Sequence, residues 1–71
     1  MNREYMKKCR LAKGYSQPKL ARELGVYDST VYMWETKGKY PKAETIIRLC
    51  RLLDMDANIL LGIRREQYEE I

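Results

Sequence analysis

Histidine and phenylalanine are absent from this 71-residue chain, cysteine and proline occur twice each, and glycine four times. Each shortage excludes something. Without histidine there is neither the commonest general base nor the commonest metal ligand. Cys9 and Cys50 stand far apart with no second pair, so neither a zinc ribbon nor a disulfide framework is expected. Both fall on apolar positions of predicted helices and read as small core residues, against a redox or metal role. The apolar run near the end, Ile59-Leu60-Leu61, is far short of the roughly 18 residues that a membrane span requires. The first residues, Met1 to Lys8, are charged and lead into no apolar stretch, which argues against a signal peptide. A cytoplasmic protein with reduced thiols is the expectation. So short a chain has no room for a second core or a deep substrate cavity. With no nucleophile–base pair, carboxylate dyad or metal cluster either, no enzyme, cofactor or metal is expected.

What is present points to a folded helical domain. Apolar residues make up 45% and charged residues 34%, a balance of folded chains and not of disordered tails. Leu, Ala, Arg, Lys and Glu are plentiful, and these are good helix formers. The net charge of +4 is unevenly spread. Residues 1–42 carry ten Lys and Arg against four Asp and Glu, a net +6; residues 43–71 carry four against six, a net −2. A basic half on a small domain is an electrostatic footprint for a polyanion, most often nucleic acid.

Gly and Pro punctuate the chain into five short helices. The first runs from about Arg3 to Lys13 and stops at Gly14; its inward stripe is Met6, Cys9 and, unusually, Arg10. Ser16 sits where an N-cap belongs, ahead of Gln17 and Pro18 in a first turn whose N–H groups lack intrahelical partners. Leu20, Ala21 and Leu24 form the apolar side of helix 2, which Gly25 ends. Helix 3 starts near Asp28, with Val31 and Trp34 inward. A polar loop from Thr36 to Pro41 follows. Ile46, Leu49, Cys50 and Leu53 then repeat at the spacing of an amphipathic helix, and Asp56 is placed to cap a last short helix from Ala57 to about Gly62.

Only three residues, led by Gly25, separate Leu24 from Asp28. So short a turn forces helices 2 and 3 to cross steeply, the geometry of a helix-turn-helix. The ordered set Arg10, Gly14-Tyr15-Ser16-Gln17, Leu20-Ala21, Leu24-Gly25-Val26, Val31 and Trp34-Glu35 resembles the phage repressor/Cro (XRE) family. The likeness continues through Pro41, Glu44-Thr45-Ile46 and Leu52-Leu53, and covers about residues 3–62. It implies an all-α, compact five-helix, lambda-repressor-like DNA-binding domain with the helix-turn-helix at helices 2 and 3. It also implies a bacterial or phage-encoded regulator of transcription, more often a repressor.

The resemblance implies roles residue by residue. Helix 3 enters the major groove, and the positions of Asp28, Ser29 and Met33 meet base edges, with Tyr27 at the mouth of the helix. This set has no Arg for guanine and no Asn or Gln for adenine. Asp28 can accept from a cytosine amino group, Ser29 can pair with several bases, and Met33 and Tyr27 can pack on a thymine methyl. Two alternatives stay open: Asp28 as the cap of helix 3, and Tyr27 folded inward on the stripe of Val31 and Trp34. Gln17 at the start of helix 2 is assigned to a phosphate, as are Thr30, Tyr32, Lys37, Lys39, Tyr40 and Lys42. Arg10 and Glu35 form the family's ion pair between helix 1 and helix 3, so Arg10→Met is expected to weaken DNA binding in a chain that still folds. Lys37 stands where many members have Gly, and Gly38 comes one residue later, which reshapes the loop.

Ile59, Leu61, Ile63 and Tyr68 are candidates for a homodimer interface, since the end of the chain carries more apolar surface than one short helix can bury. A dimer would place two reading helices about 34 Å apart on a palindromic operator. The domain is assigned to residues 1–63 and a charged tail to residues 64–71. A rival reading keeps the fold and changes the partner: an antitoxin-type or anti-regulator protein that grips another protein, favoured by Met33 and two tyrosines where Arg or Gln is usual.

Overall fold

A computed structural model describes residues 1–63; the assigned tail, with Tyr68, lies outside the described residues. Among them are five helices and no strand, in the order α1 (Arg3–Ala12), α2 (Gln17–Leu24), α3 (Asp28–Lys37), α4 (Ala43–Leu53) and α5 (Ala57–Leu61). None is long and apolar enough to cross a membrane.

Short polar side chains start three of the helices. Asn2 accepts from the Tyr5 N–H, Ser16 from the Lys19 N–H and Asp56 from the Asn58 N–H, each satisfying a donor that the first turn leaves without a partner. Tyr27 and Lys42 begin α3 and α4 without a side-chain cap bond, which costs about 1 kcal/mol at each site relative to Ser or Asp. Asp28 is thus the first residue of α3 and not its cap, which corrects one of the two sequence readings. Its carboxylate still gains from the helix dipole at this end.

Four helices end alike. Tyr15 N–H donates to the Arg10 carbonyl, Val26 to Ala21, Met55 to Cys50 and Ile63 to Asn58. Each bond spans five residues across a left-handed residue, the pattern of a Schellman close. Gly25 takes this role between α2 and α3 at φ 70°. At the end of α4 it falls to Asp54, at φ 52°, a conformation that costs a side-chain-bearing residue about 1 kcal/mol.

The hydrophobic core is Met6, Leu20, Ala21, Leu24, Val31, Trp34, Leu49, Leu53, Met55 and Leu60, one cluster to which every helix contributes. The periodic stripes of α2, α3 and α4 all point into it. Ala21 is small and fully buried on α2, which packs against α3. Cys9 and Cys50 are half-buried against this core. Burial chiefly, then the charges of Asp56 and Cys9, pushes the Cys50 thiol up and away from thiolate reactivity. Among residues that patterning did not single out, Met55 seals the α4–α5 corner, and the Tyr5 hydroxyl accepts from the Asp56 N–H at 2.8 Å.

Candidate nucleic-acid interface

Trp34 and Val31 anchor α3 in the core and thereby decide which face it shows to solvent. Asp28, Ser29 and Tyr32 are exposed on that face, Thr30 and Met33 half-buried. Tyr27 is 82% exposed at the mouth of the helix, so the reading that folds it inward fails. The reason is positional: as the N-cap residue its backbone is extended, φ −74° and ψ 150°, which takes it off the stripe of residues 31 and 34. The outward face holds a carboxylate, hydroxyls, a thioether and two phenols, with no cation or carboxamide on its first two turns.

Beneath α3 a charged network joins three helices. Arg10 Nε lies 2.7 Å from Glu35 Oε2, and Arg10 Nη2 donates to Glu35 Oε1 at 3.0 Å, a two-pronged pair. Arg10 Nη1 donates to the Tyr15 carbonyl at 2.7 Å. The fourth bond comes from Gln17, whose Nε2 donates to Glu35 Oε1 at 3.1 Å. Both charged side chains are buried, at 6% and 3% exposure, and no buried side-chain nitrogen or oxygen among the described residues is left without a partner. Arg10 on an apolar stripe is thus accounted for: its charge is matched where water cannot reach it. Gln17, assigned to a phosphate from sequence, directs one amide hydrogen inward, and its second hydrogen and its backbone N–H remain for a ligand.

The other assigned cations lie along the connection from α3 to α4. Lys37 is the last residue of α3, Gly38 takes the left-handed position at φ 66°, and Lys37, Lys39 and Lys42 are all exposed. Thr30, Tyr40 and Lys42 line one open cleft of about 360 Å³ together with Trp34 and Pro41. Tyr32 is exposed on α3, and its carbonyl accepts from the Thr36 hydroxyl. Of the apolar candidates at the end of the chain, Ile59 is 46% exposed and Leu61 and Ile63 are half-buried, while Leu60 between them completes the core.

Long-range contacts from two arginines to this region escaped sequence reasoning. Arg48 of α4 donates from Nη1 to the Leu24 carbonyl and from Nη2 to the Glu23 carbonyl, placing a cation at the negative end of α2. Arg3 of α1 donates from Nη1 to the Thr36 carbonyl at the end of α3. No periodicity marks either residue. A cation at the first position of α1, where the helix dipole disfavours it, is the one available hint for Arg3.

A family model described as Helix-turn-helix matches residues 6–60. An SPbeta prophage-derived uncharacterized HTH-type transcriptional regulator of Bacillus subtilis (strain 168), YonR, is 32% identical over 66 residues. The alignment covers 93% of this chain but only 61% of that relative's length. No solved structure matches the chain.

Proposed function

This chain belongs to the helix-turn-helix family, of the XRE type, and from that premise we propose that it binds double-stranded DNA in the cytoplasm as a small sequence-specific transcriptional regulator, a repressor, with α3 in the major groove. The observation that carries this reading is the division of α3. Val31 and Trp34 lock one side into the core, and the other side, from Tyr27 to Met33, is presented with lysines at its far end. In this reading Asp28, Ser29, Met33 and Tyr27 address bases, with Asp28 accepting from cytosine. Gln17, Thr30, Tyr32, Lys37, Lys39, Tyr40 and Lys42 address the backbone. Residues 1–63 are the DNA-binding unit, and two copies pair through Ile59, Leu61 and Ile63 on a palindromic site.

Selection from a random duplex pool, followed by fluorescence anisotropy at two salt concentrations, tests the proposal. A palindromic motif should be enriched, and affinity should fall about a thousandfold between about 50 and 200 mM salt, as roughly six phosphate contacts require. Asp28→Ala should relax preference at a single base pair, by about 1–3 kcal/mol, without changing the salt dependence. Failure of any motif to emerge would sink the proposal.

A second reading has its own observation. Tyr27 and Tyr32, 82% and 52% exposed, are of the residue type that dominates protein–protein contacts. A protein partner bound through this face would be displaced by Tyr27→Ala and would bind far more tightly than DNA.

A further inference from the structure

Among the described backbone bonds, α3 alone lacks the five-residue bond that closes the other four helices. It has the left-handed glycine at the right place, Gly38, yet the donor that reaches its end is a side chain, Arg3 Nη1 on the Thr36 carbonyl, 33 residues away in sequence. The two segments are in close contact. A Cβ built on Gly38 would sit 3.4 Å from Arg3 Cδ, ordinary van der Waals contact, so the stem of the arginine lies directly alongside the glycine. Arg3 is exposed, and the ion pairs formed among the described residues, Arg10–Glu35 and Lys13–Asp54, do not include it. One guanidinium N–H is taken by Thr36, and the rest of the donor fork is uncommitted. Lys37 and Lys39 flank Gly38, so the sequence-distant arginine stands at a short segment already carrying two exposed cations.

We propose that Arg3 is a DNA-backbone residue of this domain: it holds the end of α3 through Thr36 and turns the remainder of its guanidinium to a phosphate, beside Lys37 and Lys39. The chemistry favours that ligand. A planar guanidinium matches a phosphate with two parallel N–H···O bonds, and hydrogen bonding to a carbonyl fixes its plane before the phosphate arrives. The assignment rests on the DNA-binding reading above and extends its surface to α1.

Anisotropy titrations on one duplex across a salt series separate the roles of Arg3, using wild type, Arg3→Gln, Arg3→Lys and Arg51→Gln. Glutamine removes the charge and, being two bonds shorter, also gives up the reach to Thr36, whereas lysine keeps the charge. Arg51, in the groove between α2 and α4, supplies the same charge change elsewhere. Thermal melts establish that each variant is folded at the titration temperature. Arg3→Gln should flatten the slope of log affinity against log salt by about 0.9, equivalent to about 3.5-fold less loss between 50 and 200 mM. Arg3→Lys should restore the slope, and Arg51→Gln should leave it at the wild-type value. A wild-type slope in Arg3→Gln would reduce Arg3 to a helix cap, and an equal flattening in Arg51→Gln would reduce the effect to net charge; either overturns the assignment alone. A wild-type protein that binds no duplex at low salt overturns the DNA-binding reading and this assignment together.

Discussion

Arg10→Met offers the sharpest test of the network under α3. The substitution roughly conserves volume and removes the two bonds to Glu35 and the one to the Tyr15 carbonyl. Glu35, whose side chain is 3% exposed, would keep a single donor, Gln17. Stripping one partner from a buried pair typically costs about 3–5 kcal/mol, chiefly because the remaining charge is neither hydrated nor matched. A domain of this length has about 4–10 kcal/mol in all. Sequence alone suggests a binding defect in a chain that still folds; with both partners buried, stability falls first. At a urea m-value of about 1 kcal/mol/M the midpoint should drop by about 3 M or more. The double variant Arg10→Met, Glu35→Leu removes the stranded carboxylate and should recover most of that loss, since apolar replacement of a whole buried pair is often neutral. Urea titrations followed by far-UV circular dichroism on wild type, both single variants and the double variant give the coupling energy directly. If each single variant costs about 1 kcal/mol or less and the two add independently, the pair is screened in solution and the reasoning fails.

Three further outcomes follow from other contacts. Gly38→Ala puts a Cβ against Arg3 at a positive φ, so it should cost about 1 kcal/mol and lower the melting temperature by about 4–8 °C in calorimetry; an unchanged melt would mean that the end of α3 is not held as described. Arg48→Ala leaves the Glu23 and Leu24 carbonyls without their cationic donor, and should lower stability by about 1–2 kcal/mol in chemical denaturation. At the surface, the Lys13 ammonium hydrogen-bonds Asp54 at 2.7 Å and holds its carboxyl below the usual carboxylate range. A lowered folded-state pKa contributes stability above the unfolded value and loses it as pH falls through the folded one. The melting-temperature difference between wild type and Asp54→Asn should therefore hold steady from neutral pH down to the usual carboxylate range and vanish below it. A difference that persists in acid would place its origin elsewhere.

Local grammar made much of the fold legible from the residues. Ser16 and Asp56 act as caps, Gly25 closes α2, and the stripes Leu20-Leu24, Val31-Trp34 and Leu49-Leu53 are buried as their spacing demands. Each of these depends on neighbours within about one or two helical turns, so it can be read without knowing what packs against it. Where two local readings competed, at Tyr27 and Asp28, the outcome turned on a single residue of helix boundary, which periodicity resolves poorly.

The candidate surface divides in the same way. That α3 turns Asp28, Ser29 and Tyr32 outward was implicit in the burial of Val31 and Trp34. The joining of Gln17 to Glu35, the clasp of Arg48 on α2 and the seat of Arg3 beneath Gly38 were not. Long cationic and amide side chains carry no periodic signature, because their flexible stems let the polar end reach partners in several directions. Which partner each one finds depends on how distant segments lie in space. Local patterning was enough to set the five helices of the described residues, the helix-turn-helix and the face that α3 presents; how its polar ends are held depends on the packing of α1 and α4 onto that pair.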